Sequence, residues 1–385
     1  MPSHLLRATA IAAGLLAVGS VPSAATPQFA RKFRVDCSHC HLSPPRLNAR
    51  GLAFQAAGYR LDGLVPSSTF TVPLAVWNTY DLEARHSADL VKAFPSRVEL
   101  VSAGQIGGSR AVYFAEWRAL SQSVGRDGRL FNRSGRFEDL VVRVPVTPSG
   151  KWWATAGQFR ALTQVDVSLR LALSEPLLFS SSVAGPRATT SRLTGLRAFS
   201  ASGRQPALRA EYQSTSATSS ADGWYLAATL PLVGELTLPF SDGASFEIEG
   251  RPKGVFVEAY RREGLGSVGG HAFIGRDGQR VATALVTHAL GDRVLLQAGV
   301  GAFHTSGATD TRFSVGGEVD ATTTLVGGVR VDHRTGQGRD PAVLLYANVH
   351  LPFGPDKFRQ AFRLQVEHRI QRTNHATALG VSHVF

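Results

Sequence analysis

Both cysteines of this 385-residue chain lie in Cys37-Ser38-His39-Cys40-His41. This is a C-x-x-C-H pattern, the signature of covalent c-type haem attachment. Two thiols three positions apart can each add to one vinyl group of the same porphyrin. The residue after the second thiol then presents its imidazole to the iron. On this reading Cys37 and Cys40 carry one covalent haem c, and His41 is an iron ligand. A bare C-x-x-C would also suit a redox dithiol, half of a zinc site or a disulfide. With no further cysteine, a four-cysteine zinc site is excluded. The following Leu42-Ser43-Pro44-Pro45 breaks a helix at once, against a thioredoxin-like motif. His39 is read as a loop histidine, held aside from the iron by the thioether loop.

The sixth iron position is constrained by composition. Met1 is the only methionine, and it lies in a segment expected to be removed. Arg7 ends a short basic region, Ala8–Val18 is an apolar stretch too short to span a bilayer, and Ser23-Ala24-Ala25 supplies small residues at cleavage spacing. Residues 1–25 therefore read as a secretory signal cleaved near Ala25. His/Met ligation, common in cytochromes of this type, is then excluded. The other ligand is a second histidine, another side chain, water or an open position. His350 is the favoured weak candidate, because it shares strand parity with Asn348 and opposes an apolar stripe.

Residues 26–68 form a segment of a size that seldom folds alone. Leu47–Tyr59 can form a short helix, but it supplies few contacts, so the rest of the chain has to enclose the haem. This segment carries Arg31, Lys32, Arg34, Arg46, Arg50 and Arg60 against Asp36 and Asp62. Haem propionates would offset part of that charge.

Residues 69–385 alternate in hydrophobicity over stretches of about ten residues, separated by Gly, Ser, Asp and Arg-rich connections. Phe70, Val72, Leu74 and Val76 form one stripe. Val294, Leu296, Ala298, Val300 and Ala302 form another, as do Val343, Leu345, Ala347, Val349 and Leu351. Phe362, Leu364 and Val366 face away from Arg363, Gln365 and Glu367, and Phe385 closes a final alternating stretch. The expected fold is all-β: an outer-membrane antiparallel β-barrel of about 16 strands, within a range of about 14 to 18, preceded by a short haem c plug. Trp152 and Trp153 are read as an interfacial girdle pair. Ser180–Gln205 and Gln213–Asp222 are read as external loops. Asp310, Glu318, Asp320, Asp332 and Asp340 lack calcium-loop spacing and are read as a solvated rim. The formal charge of +12, with only five lysines, points to an arginine-lined and electropositive lumen.

The stretch Phe29-Ala30-Arg31, Cys37-Ser38-His39-Cys40-His41, Pro45, Leu47, Gly51, Phe54 and Gly58-Tyr59 resembles the fused monohaem cytochrome c–porins of the outer membrane. The best-known members of that family are ferrous iron oxidases. Gly157-Gln158-Phe159 followed by Asp166, Ser168 and Arg170 is a weaker match. His383 departs from the aromatic or aliphatic residue usual near the end of such barrels. The resemblance implies a haem on Cys37 and Cys40, His41 as its iron ligand, and a barrel in the same chain. It also implies electron transfer from an extracellular donor such as Fe(II) to a periplasmic c-type cytochrome.

Other readings stay open at this stage. The barrel could be an anion-selective porin with a structural haem plug, an exporter of electrons to an external acceptor, or a peroxidase-like haem enzyme with an open sixth position. The expected partners are outer-membrane lipid and redox proteins, with no nucleic acid. An electropositive lumen would repel Fe(II), so oxidation is expected near the external mouth.

Overall fold

The computed structural model describes residues 28–35, 39–43, 46–60, 74–85, 91–107, 109–124, 130–132, 134–162, 178, 204–214, 222–235, 247–276, 278–305, 308–322, 324–335, 341–352, 361–372 and 374–384. The expected signal, Cys37, Phe70, Val72, Asp166, Ser168, Arg170 and Asp340 lie outside the described residues.

The chain begins with α1 (Gln28–Phe33), a small ladder of β1 (His41–Ser43) with β2 (Arg46–Leu47), and α2 (Ala49–Ala56). The remaining strands are β3 (Ala75–Arg85), β4 (Val91–Gln105), β5 (Val112–Val124), β6 (Leu130–Asn132), β7 (Arg136–Pro145), β8 (Trp152–Arg160), β9 (Arg204–Gln213) and β10 (Gly223–Glu235). They continue with β11 (Glu247–Pro252), β12 (Gly254–Glu263), β13 (Gly266–Gly275), β14 (Arg280–Leu290), β15 (Val294–Thr305) and β16 (Ala308–Asp320). The last four are β17 (Leu325–Arg334), β18 (Ala342–Pro352), β19 (Ala361–Gln371) and β20 (Asn374–Val384).

Every barrel pairing is antiparallel between sequential strands, and β20 returns to β3 with Val384 opposite Trp77. The short β6 and β11 are interrupted leading parts of β7 and β12, so the closed barrel has sixteen strands, the number expected from the sequence. Closure pairs every strand edge, which lipid requires because it offers no hydrogen bonds to a free backbone.

The alternation resolves into two faces. On β12, Val255 and Val257 are 48% and 44% exposed, whereas Phe256 and Glu258 are buried. Leu296, Val300, Phe313, Val315, Val329, Leu345, Leu351 and Leu364 likewise point outward. Glu318, Arg330, Asn348, Gln365 and Glu367 point inward and are buried. Apolar side chains outside and polar ones inside is the arrangement of a membrane barrel, not of a soluble sandwich.

With an even strand number, β3 starts and β20 ends at the same end of the barrel. That end carries the short connections 264–265, 291–293 and 321–324, while the 43-residue connection 161–203 lies at the other. Short turns mark the periplasmic end of such barrels. Two readings are corrected here. The connection 214–222 follows the sixth barrel strand, so it lies at the periplasmic end and is not external; Ser214 N–H bonds Trp224 O across it at 2.8 Å. Arg204 and Gln205 are already in β9, not in a loop.

Candidate functional site

Cys40 and His41 are held from behind by α2. Asn48 is its N-cap: its side-chain oxygen accepts from Gly51 N–H at 2.9 Å, satisfying one orphan donor of the first turn. The same residue grips the motif. Asn48 N–H donates to the Cys40 carbonyl at 3.0 Å, and its amide nitrogen donates to the His39 carbonyl at 3.2 Å. Gly51 permits the close approach, since a Cβ there would lie 2.1 Å from the Cys40 oxygen. His41 sits on β1 opposite Leu47, in extended backbone. His39 is contacted by Arg50 Nη1 at 3.3 Å, in keeping with a loop role.

Cys40 has a free, half-buried thiol. Burial pushes that thiol up from its ordinary value, and the neighbouring Arg50 charge opposes the rise. The segment builds a small core from rings the sequence spreads widely. Phe54 packs edge-on against Phe29 at 4.9 Å and Phe33 at 5.6 Å, and Tyr59 joins Phe29 at 4.8 Å. The helix expected over 47–59 is present as Ala49–Ala56, whereas α1 carries no cue that was read from sequence. Gly58, at φ +68°, closes α2 in the left-handed conformation, and Tyr59 N–H returns to Phe54 O at 2.8 Å.

The barrel wall receives this segment at β5, β7 and β8. Arg143 Nη1 donates to the carbonyls of Gln55 and Ala56 at 3.3 and 3.2 Å, where the ended helix leaves its acceptors open. The Arg143 guanidinium lies 4.1 Å from the Trp153 ring and pairs with Glu211 at 3.2 Å. A Cβ on Gly58 would meet Trp153 Cη2 at 2.9 Å and Val112 Cγ1 at 3.3 Å. Trp152 and Trp153 are therefore not a girdle pair. Adjacent strand residues face opposite sides: Trp152 is 48% exposed beside Tyr212, while Trp153 is buried and donates to Gly150 O at 2.8 Å.

Val112 starts β5, Trp153 lies at the start of β8 and Arg143 lies near the end of β7, so the segment is seated toward the periplasmic end. The sequence placed the oxidation near the external mouth; the motif's own fold lies at the opposite end of the lumen.

His350, near the periplasmic end of β18, points inward as its parity predicted and is 4% exposed. Both of its ring nitrogens are buried without a hydrogen-bond partner. Leaving one such atom unsatisfied costs about 1–3 kcal/mol. Arg363 lies opposite it on β19. A free thiol, an adjoining imidazole and an uncommitted second imidazole make a donor set that fits a haem c.

The lumen charges differ from the sequence expectation. Asp310, Glu318, Asp320 and Asp332 are buried, not a solvated rim. Asp310 pairs with Arg312 at 2.8 Å and Arg334 at 2.6 Å, and Asp332 with Arg330 at 3.0 Å. Glu318 accepts from Tyr346 Oη at 2.7 Å. On the other flank Arg204 meets Asp139 at 2.8 Å, Glu116 at 3.1 Å and Glu138, while Arg118 meets Glu99 at 3.4 Å and Glu138. Glu99, Glu116 and Glu138 bring carboxylate oxygens within 4.8 Å of one another, with Arg118 and Arg204 among them. Among the described residues the lumen wall thus carries buried charges of both signs and is not simply electropositive. Asp310 and Asp332 each have an arginine two positions away on their own strand, so part of this pairing follows from same-face spacing, and only Arg334 to Asp310 needs the neighbouring strand. Gln158 and Phe159 of the weaker match lie buried in β8, where Gln158 Nε2 donates to Phe137 O at 2.5 Å and Phe159 lies under Arg209.

No protein-family model and no curated protein matches the chain. Among solved structures, OmpF of Salmonella typhi in complex with daunomycin is similar, with a TM-score of 0.53 at 11% identity over 81% of this chain and 97% of that one. OprB of Pseudomonas putida aligns at TM-score 0.49 and 14% identity, covering 81% of this chain and 93% of that one. The outer-membrane channel DcaP of Acinetobacter baumannii aligns at 0.48 and 10%, covering 81% and 96%. The likeness to OmpF is one of fold: a porin-like barrel of the bacterial outer membrane.

Proposed function

We propose that this porin-like barrel is an outer-membrane electron conduit, with one haem c on Cys37 and Cys40, His41 on its iron, and passage of electrons between an extracellular donor such as Fe(II) and a periplasmic c-type cytochrome. The observation that carries the reading is the seating of the C-x-x-C-H segment: it is packed on its own aromatic core and tied by Arg143 to the barrel wall toward the periplasmic end. A covalently held haem supplies a one-electron couple at that position. The chain's own residues do the rest. Asn48 and Gly51 fix the backbone of Cys40, and β1 extends His41. Buried carboxylates set among the lumen arginines reduce the electrostatic barrier to a cationic donor that the composition alone raised.

A second reading is an anion-selective porin with a structural haem plug, and the fold likeness to OmpF favours it as far as the barrel goes. The burial of inward-facing Arg312, Arg330, Glu318 and Asn348 favours the conduit, because the walls of an open pore would be wet. The test uses the protein purified from outer membranes. The conduit requires covalently bound haem, lost in Cys37→Ala/Cys40→Ala, reduction of the oxidised protein by Fe(II), and little steady conductance in planar bilayers. Large anion-selective currents through the haem-loaded protein would give the porin reading instead. An absence of covalent haem would end both.

A further inference from the structure

We infer that His350 would supply the second imidazole to the haem iron, in addition to His41, from the barrel wall. This deepens the proposed function and rests on its reading of the C-x-x-C-H motif.

The argument begins with supply. No methionine lies beyond Met1, which makes the histidines the first candidates for a strong second ligand. The histidines outside the motif whose side chains are described are then separated by their surroundings. His288 and His375 are exposed. His333 lies between the buried Asp332 and Arg334 and so faces outward, stacked with Phe313 on the lipid side. His304 and His368 spend Nδ1 on Thr309 and Thr377 at 3.0 and 2.9 Å. His271 is inside, but its Nδ1 is within 2.7 Å of Thr283 Oγ1, and it stacks against Phe256 in the apolar half of the lumen. His350 alone among them is both buried in the lumen and uncommitted at both nitrogens.

Its position is built rather than loose. His350 N–H is bonded to Thr324 O at 2.7 Å, and its register partners are fixed on β19. A rigid strand is a better platform for a metal ligand than a loop. A buried imidazole with an unused lone pair is a ligand in need of a metal, whereas a structural histidine at this depth would bond a neighbour, as His271 does. The segment that bears His41 docks on the wall toward the periplasmic end, and His350 lies near that same end of β18. The two imidazoles come from segments more than 300 positions apart in sequence, so the iron would bind the N-terminal segment to the last third of the barrel.

The test uses the full-length protein from outer membranes, with haem content measured first on the denatured chain. The wild type is expected to give a low-spin ferric electron paramagnetic resonance signal with the near-infrared magnetic circular dichroism band of two imidazoles. Its reduced form should not bind carbon monoxide. His350→Ala should keep its covalent haem, turn high-spin, gain carbon monoxide binding, and return to low-spin when imidazole is added. His350→Met, which fills the site with another ligand, should replace the bis-imidazole band by a thioether-to-iron band. A wild-type spectrum in either variant, or a high-spin, carbon monoxide-binding wild type, overturns the assignment while leaving haem attachment intact. A wild type with no covalent haem overturns the proposed function, and the ligand with it.

Discussion

The two flanks of the lumen fill the same kind of space by opposite chemistry. Along β10 and β12–β15, Tyr225, Phe256, Tyr260, Phe273, Val281 and Phe303 form an apolar core with Ala161, Leu162 and Leu178. This is a folded-protein interior inside a barrel whose outside is also apolar. Along β16 and β17, and again along β4–β9, the inward residues are arginines matched with Asp and Glu. The N-terminal segment docks on the second kind of wall, through Arg143 and Trp153. The apolar flank gains from burial with no need of partners, whereas the ionic flank holds only while every charge keeps its counter-charge. The ionic flank is therefore the more brittle of the two, and it is the one adjoining the motif.

Three substitutions sharpen that contrast. Arg204→Ala should have the largest effect, about 4 kcal/mol, because Glu116, Glu138 and Asp139 lose a shared buried partner. The measurement is urea unfolding from lipid vesicles, and an effect below that of an apolar truncation would erase the distinction. Phe256→Ala on the apolar flank should cost about 3 kcal/mol by the same assay, as a fully buried ring is replaced by a cavity. Arg143→Ala should cost about 2 kcal/mol of docking for the segment, since a charged donor to two helix carbonyls is lost. Proteolysis within residues 28–60 should speed up in this variant. Glu211 also loses its ion pair with Arg143, so the barrel midpoint should fall as well, the fall softened by the bonds from Thr155 and Tyr225. Faster proteolysis with a smaller loss of barrel stability is the expected signature; equal loss in both would mean that the segment and wall fold as one unit.

Much of the architecture was legible in the chain. The period-2 stripes at Val343–Leu351 and at Leu364 and Val366 put the correct faces outward, because a strand's side chains alternate whatever its partners. The inward parity of His350 followed from the same rule. The helix after the motif was visible from its apolar positions, and its N-cap is Asn48. The misreadings share one cause. Trp152 and Trp153, the acidic residues from Asp310 to Asp332 and the side of 214–222 were judged by local composition. For the tryptophans and for Asp310 and Asp332 the period-2 rule, applied within the strand, gives the observed faces and partners, whereas the side of 214–222 depends on the parity of all preceding strands. A single uncertain strand changes the side of every later connection.

The sequence by itself determined the chemistry that is possible: two thiols and an imidazole at haem-attachment spacing, no methionine beyond Met1, and enough alternating strands to close a barrel. These are properties of residue type and short spacing, and no fold can alter them. Only the tertiary structure decided the depth at which the motif sits, which buried arginines find carboxylate partners, and which of the distant histidines is buried in the lumen with both ring nitrogens unpartnered. Those depend on strand register and closure, which bring together residues hundreds of positions apart, and local sequence carries no record of that distance.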